Sequence, residues 1–173
     1  MSIKLNYHTF DITKKKRTQG GYDLSLLKED LYESVGGVPD EIRYASGIYV
    51  YYRTTKGGGW KADYVGKNST DNLLGESLSK TTYLANDILP RSGNHKILYI
   101  TCSSPQGMRD KNYSTSISNL ESYLITVLRL RRHPLLNVQH ARKKPSFNFN
   151  LGKKNHNGQR AFKNLAGKQS IWL

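Results

Sequence analysis

The stretch from Ser46 to Lys67, SGIYVYYRTTKGGGWKADYVGK, decides the fold. Its first eight residues alternate, with Ile48, Val50 and Tyr52 on one side and Tyr49, Tyr51 and Arg53 on the other, the period of a half-buried strand. Lys61 to Lys67 reads as a second strand, and the glycines Gly57, Gly58 and Gly59 suit a tight connection. In an antiparallel hairpin this spacing sets Tyr49 opposite Tyr64 and Arg53 opposite Trp60, with a loop from Thr54 to Gly59. Two phenols then share one sheet face beside a loop that lets other backbone come close. The arrangement suits catalysis, and it also suits the aromatic packing of an ordinary hairpin.

Outward from the hairpin, the pattern turns helical on both sides. Toward the N-terminus, Leu24, Leu27, Leu31 and Val35 recur at helical spacing behind Asp23, a reasonable N-cap, and Gly36-Gly37 closes the run. Toward the C-terminus, Asn68 to Leu89 reads as broadly helical, opened by Asp71 and ended by Pro90 and Gly93. Lys96 to Thr101 reads as a third strand and Ser103 to Ser116 as a loop. The clearest helix runs from Asn119 to Arg132, with Leu120, Tyr123, Leu124, Val127 and Leu128 along one stripe. The order strand, strand, helix, strand, helix predicts an α+β fold: a small three-stranded, largely antiparallel sheet flanked by helices. It divides into an N-terminal extension with one helix (1–44), a core (45–138) and a basic C-terminal tail (139–173).

With 173 residues the chain can bury one good core plus appendages. The single Cys102 excludes an internal disulfide and no CxxC pair exists, which points to a reducing, cytoplasmic setting. No stretch resembles a signal peptide or a membrane span, so no membrane partner is expected. The net charge of +14 is unevenly spread: residues 138–173 carry eight Lys and Arg and no acid. Arg142, Lys143, Lys144, Lys153, Lys154, Arg160, Lys163 and Lys168 suit the neutralisation of phosphates, and Phe147, Phe149, Phe162 and Trp172 among them could stack against bases. DNA is the partner this composition favours; a solvated tail is the alternative. The run Lys14, Lys15, Lys16 and Arg17 could likewise touch phosphate or simply face water.

Gly47-Ile48-Tyr49, Tyr64-Val65-Gly66, the helix glutamate Glu121 and the later Asn137 stand in an order that resembles the GIY-YIG nucleases over roughly residues 45–138. The resemblance implies a metal-dependent endonuclease that hydrolyses DNA phosphodiesters, of the compact restriction type or phage-borne. It implies Tyr49 as the base that deprotonates water, Tyr64 as an orienting group, and Glu121 as the ligand of one Mg²⁺, for which Mn²⁺ could substitute. It also implies that Asn137 positions a ligand or water, although an asparagine past a helix end often bonds locally. Glu121 has a second reading: Ser118-Asn119-Leu120-Glu121 is a capping-box pattern. Past Asp87 the only acids are Asp110 and Glu121, so a hard cation has few choices there.

A tyrosine base sets a condition. Its unperturbed pKa of about 10 makes the phenolate cost roughly 4 kcal/mol at neutral pH, so a cation is needed nearby. The family's arginine in the helix after the second triplet is missing, since Asn68 to Lys80 contains none. Lys67 could replace it, or Arg91 with His95 four residues on, or Lys80; Arg91 and His95 could equally be loop residues. His156 lacks the second histidine and acid of an HNH site. The rival readings are a catalytically inactive DNA-binding protein on a nuclease fold, and a nuclease of RNA or branched DNA. A palindromic target would favour a homodimer by symmetry.

Overall fold

The computed structural model describes residues 2–12, 38–79, 84–103, 111–137, 148–151 and 156–167. These form an α+β fold around a five-stranded sheet rather than the three strands expected. In chain order the elements are β1 (Ser2–Asp11), α1 (Asp40–Arg43), β2 (Ser46–Thr54), β3 (Trp60–Asn68) and α2 (Leu73–Ser79). A π-helical turn (Leu84–Ile88), β4 (Asn94–Ser103), α3 (Lys111–Leu130), β5 (Asn148–Leu151) and α4 (His156–Ala166) follow. The strand order is β3-β2-β4-β1-β5. The pairs β3·β2, β2·β4 and β4·β1 are antiparallel, and β5 runs parallel to β1.

The two added strands come from the segments read as extension and tail. In β1, Ile3, Leu5 and Tyr7 are each 1% exposed, so this strand is part of the core. In the tail, α4 buries Ala161, Phe162, Leu165 and Ala166, and the Phe162 ring lies 5.0 Å from that of Tyr7. Phe162 is therefore packed inside the protein and unavailable to stack on a base. The expected helix from Leu24 to Val35 lies outside the described residues, as does the run from Lys14 to Arg17.

Both faces of the sheet are covered. On one side Ile48, Val50, Tyr52, Leu98 and Ile100 pack against Ile117, Leu120, Leu124 and Leu128 of α3 and against α4. On the other, Tyr49, Tyr51, Ile97 and Tyr99 pack against Ile42, Leu73, Leu74, Leu78, Leu84 and Ile88. The strand β2 is thus buried on both faces and not half-buried as its alternation suggested. Tyr51 and Tyr99 are sheet-packing residues with polar ends: Tyr51 donates to the Ser77 carbonyl at 2.7 Å, and the Tyr99 hydroxyl lies 2.8 Å from Ser77 Oγ.

The hairpin forms, but in a different register. Tyr51 stands opposite Tyr64 and Tyr49 opposite Gly66; past a bulge between Tyr51 and Tyr52, Arg53 stands opposite Lys61 and Thr54 opposite Trp60. Asp63 is the extra residue of the bulge, a feature that a constant register cannot accommodate. Its side chain is fully buried and accepts from Arg53 Nε at 3.1 and 3.2 Å and from Arg91 Nη1 at 2.6 Å. Two guanidinium groups satisfy this carboxylate, which is what a buried charge requires.

As the outer strand, β3 would expose a row of unpaired backbone groups, and the segment after α3 covers them. Asn137 Oδ1 accepts from the Val65 amide at 2.8 Å while its Nδ2 donates to the Val65 carbonyl at 2.6 Å. The Leu136 amide donates to the Asp63 carbonyl at 2.8 Å, and His133 Nδ1 accepts from the Ala62 amide at 3.1 Å. One helix feature also differs from expectation: α3 begins at Lys111, within the stretch read as a loop. Among the described residues no helix is long and apolar enough to cross a membrane.

Candidate active site

Tyr49 and Tyr64 do come together, although not as cross-strand neighbours. Their ring centroids are 6.2 Å apart with the planes tilted by 32°, and Tyr64 is among the groups that raise the Tyr49 pKa. The Tyr49 ring reaches Tyr64 by lying across Gly66: a Cβ on Gly66 would stand 2.2 Å from Tyr49 Cζ and 2.3 Å from its hydroxyl. The glycine of the second triplet is thus the space that the tyrosine of the first triplet fills. Gly47 is constrained in the same way, since a Cβ there would meet the Ile100 carbonyl oxygen at 2.1 Å.

Glu121 approaches this pair from α3. Because the helix starts at Lys111, Glu121 lies well inside it, and Ser118 bonds its own helix through the Ser114 carbonyl at 3.0 Å. The capping-box reading of Glu121 is therefore overturned: there is no helix start at Ser118 for it to close. Lys67, at the end of β3, donates to Ser118 Oγ at 2.5 Å and has its Nζ 3.9 Å from Glu121 Oε2. Ser118 and Glu121, three residues apart, share a helix face, which is how one lysine touches both.

The Tyr49 phenol has its pKa raised, first by burial and then by Tyr64, Glu76 and Glu121 around it. Burial thus dominates the electrostatics of this phenol, Tyr64 and two carboxylates add to it, and Lys67 lies beside one of those carboxylates. Glu76 joins from α2, where Leu73, Leu74, Ser77 and Leu78 form the buried face. Sequence reading passed over Glu76 as a site residue; the signal was its position on the helix directly following the second triplet. Oxygen ligands from Glu121 and Glu76 suit a hard divalent cation. Among the described residues no three His, Cys, Asp or Glu gather into a cage, so such a cation would retain most of its water.

Arg91 and His95 are engaged elsewhere. Arg91 bonds Asp63 and donates to the Pro134 carbonyl at 2.8 Å, and the His95 ring, 3% exposed, lies with Nε2 2.8 Å from the Arg91 carbonyl. Both hold the hairpin's bulge and neighbouring turn, while Lys80 lies outside the described residues. Asn137 is likewise occupied with the backbone of Val65, one residue from Tyr64, so it fixes the strand that carries the second phenol. Of the basic residues expected on DNA, Arg160 and Lys163 are exposed on α4. Arg142, Lys143, Lys144, Lys153, Lys154 and Lys168 lie outside the described residues. No family model matches the chain, and no curated protein or solved structure does so either.

Proposed function

We propose that the chain is a metal-dependent DNA endonuclease, with double-strand cleavage of the restriction type as the specific form. The observation that carries this reading is that Tyr49 and Tyr64 lie together, with Glu121 close enough to act on the Tyr49 phenol and Lys67 within ion-pair distance of Glu121. Glu121, with Glu76 near, would hold Mg²⁺ or Mn²⁺; such a cation would supply positive charge to the scissile phosphate and offset the carboxylates' share of the penalty on the neighbouring phenol. Tyr64, its ring beside that of Tyr49, orients the attacking water. Tyr49, once its own proton has passed to solvent under the field of that cation, would accept the water's proton. Lys67, held at the pocket by Ser118, turns its ammonium toward the charge that develops on phosphate. The exposed cations Arg160 and Lys163, with the acid-free tail around them, supply grip on the backbone.

A second reading, a non-catalytic DNA-binding protein, is favoured by the raised pKa of Tyr49 and by the engagement of Arg91 and His95 with Asp63 and backbone. Supercoiled plasmid separates the two. The nuclease converts it to discrete fragments with Mg²⁺ and leaves it intact in EDTA. Tyr49→Phe, losing a general base worth roughly 10²–10⁴-fold, and Glu121→Ala should both abolish detectable cutting while binding persists. Full-rate cutting by either folded variant refutes the assigned roles; salt-sensitive binding without nicking by the unaltered protein establishes the second reading.

A further inference from the structure

A cavity of about 450 Å³ opens beside the hairpin's turn, on the face of β2 opposite Tyr49. That volume falls within the range of about 300–1,000 Å³ typical of sites for small organic groups. One wall is an aromatic stack: Trp60 lies on Tyr52 with ring planes 13° apart and centroids 5.5 Å apart. Tyr52 is buried and its hydroxyl lies 2.6 Å from Thr9 Oγ1, so Trp60 rests on a plane that cannot move. Trp60 itself is only partly buried and lines the cavity. The rim carries Asn157 and Arg160, both exposed on α4, and Lys96, which is ion-paired to Asp11.

We propose that this cavity receives one unpaired nucleobase together with its phosphate. The base stacks on Trp60, Asn157 offers an amide to its edge, and Arg160 meets the phosphate, Lys96 being already balanced by Asp11. A tryptophan present only for packing would be covered on both faces; this one is braced on one side and borders open space with polar and cationic groups around it. The inference takes its nucleic-acid partner from the proposed function but is independent of cleavage.

The test uses the full chain carrying Trp172→Phe, which leaves Trp60 as the sole tryptophan, in EDTA so that no strand is cut. The probes are an eight-nucleotide single-stranded oligothymidylate, an abasic deoxyribose-phosphate strand of the same length, and a duplex. Trp60 fluorescence should be quenched saturably by the base-bearing strand and not by the abasic one, with affinities differing roughly 5- to 100-fold, the worth of one stacked base. Read by the anisotropy of dye-labelled strands, Trp60→Leu should erase that preference and Trp60→Phe should retain most of it. Equal binding of both single strands with no quenching overturns the proposal, whatever the variants do. If the duplex still binds in that case, only the cavity inference fails; if nothing binds, the nucleic-acid partner itself is wrong.

Discussion

Replacing Gly66 by alanine tests the geometry on which the site depends. The added carbon would lie 2.2, 2.3 and 2.7 Å from Tyr49 Cζ, hydroxyl and Cε1, all far inside van der Waals contact. The Tyr49 ring has nowhere to go: it is 0% exposed, with Tyr51 5.9 Å and Tyr64 6.2 Å away centroid to centroid. Overpacking of this kind costs about 1–3 kcal/mol. For a chain of this size that lowers Tm by roughly 2–12 °C, read by circular dichroism. Without the ring, the same substitution has the opposite sign, because alanine loses less backbone entropy in a strand than glycine, by roughly 0.5–1 kcal/mol. Gly66→Ala should therefore destabilise the unaltered protein and leave a Tyr49→Leu background unchanged or slightly more stable, a coupling of at least about 1 kcal/mol. A melting temperature unmoved by Gly66→Ala, or an equal loss in both backgrounds, would show that the ring does not lie across Gly66.

Other substitutions probe the supports of the site. Asp63→Asn leaves Arg53 and Arg91 facing a neutral amide in a buried position and should cost about 3 kcal/mol in urea unfolding; Arg91→Ala, once corrected for its own stability loss, should leave plasmid cutting intact. Asn137→Asp can still accept from the Val65 amide but cannot donate to its carbonyl, so hydrogen exchange at the β3 amides should quicken by roughly tenfold. The His133 pKa is lowered, first by burial, and its Nδ1 accepts from Ala62 while Nε2 donates to the Leu165 carbonyl. The unfolded chain therefore binds this proton more readily than the folded one, and stability is lost as pH falls below the ordinary histidine value of about 6.5. His8, also lowered by burial, acts in the same direction, so the diagnostic is a smaller acid-side slope of Tm in His133→Gln.

The hairpin and its two triplets were legible because alternation and glycine placement are local signals. Its register was not, because a single bulged residue, Asp63, shifts the pairing, and its carboxylate is satisfied by Arg53 of the same hairpin together with Arg91, which lies outside it. The N-terminal strand carried a readable sign in the alternation of Ile3, Leu5 and Tyr7, overshadowed by the helical run that follows it. In the tail, charge concealed a pattern: Ala161, Phe162, Leu165 and Ala166 recur at helical spacing, and α4 buries all four. Glu121 was identifiable as an acid among few. Its release from capping depended on where α3 begins, which the polar stretch Lys111 to Ser116 does not announce.

By folding residues 133–137 back along β3, the protein plugs its own open rim. A second copy cannot extend the sheet there strand by strand, so two subunits gathered on a palindrome would have to meet through some other surface. The plug also leaves the helix bearing Glu121 and fastens beside Tyr64, so one five-residue strap ties together the two elements that carry these residues.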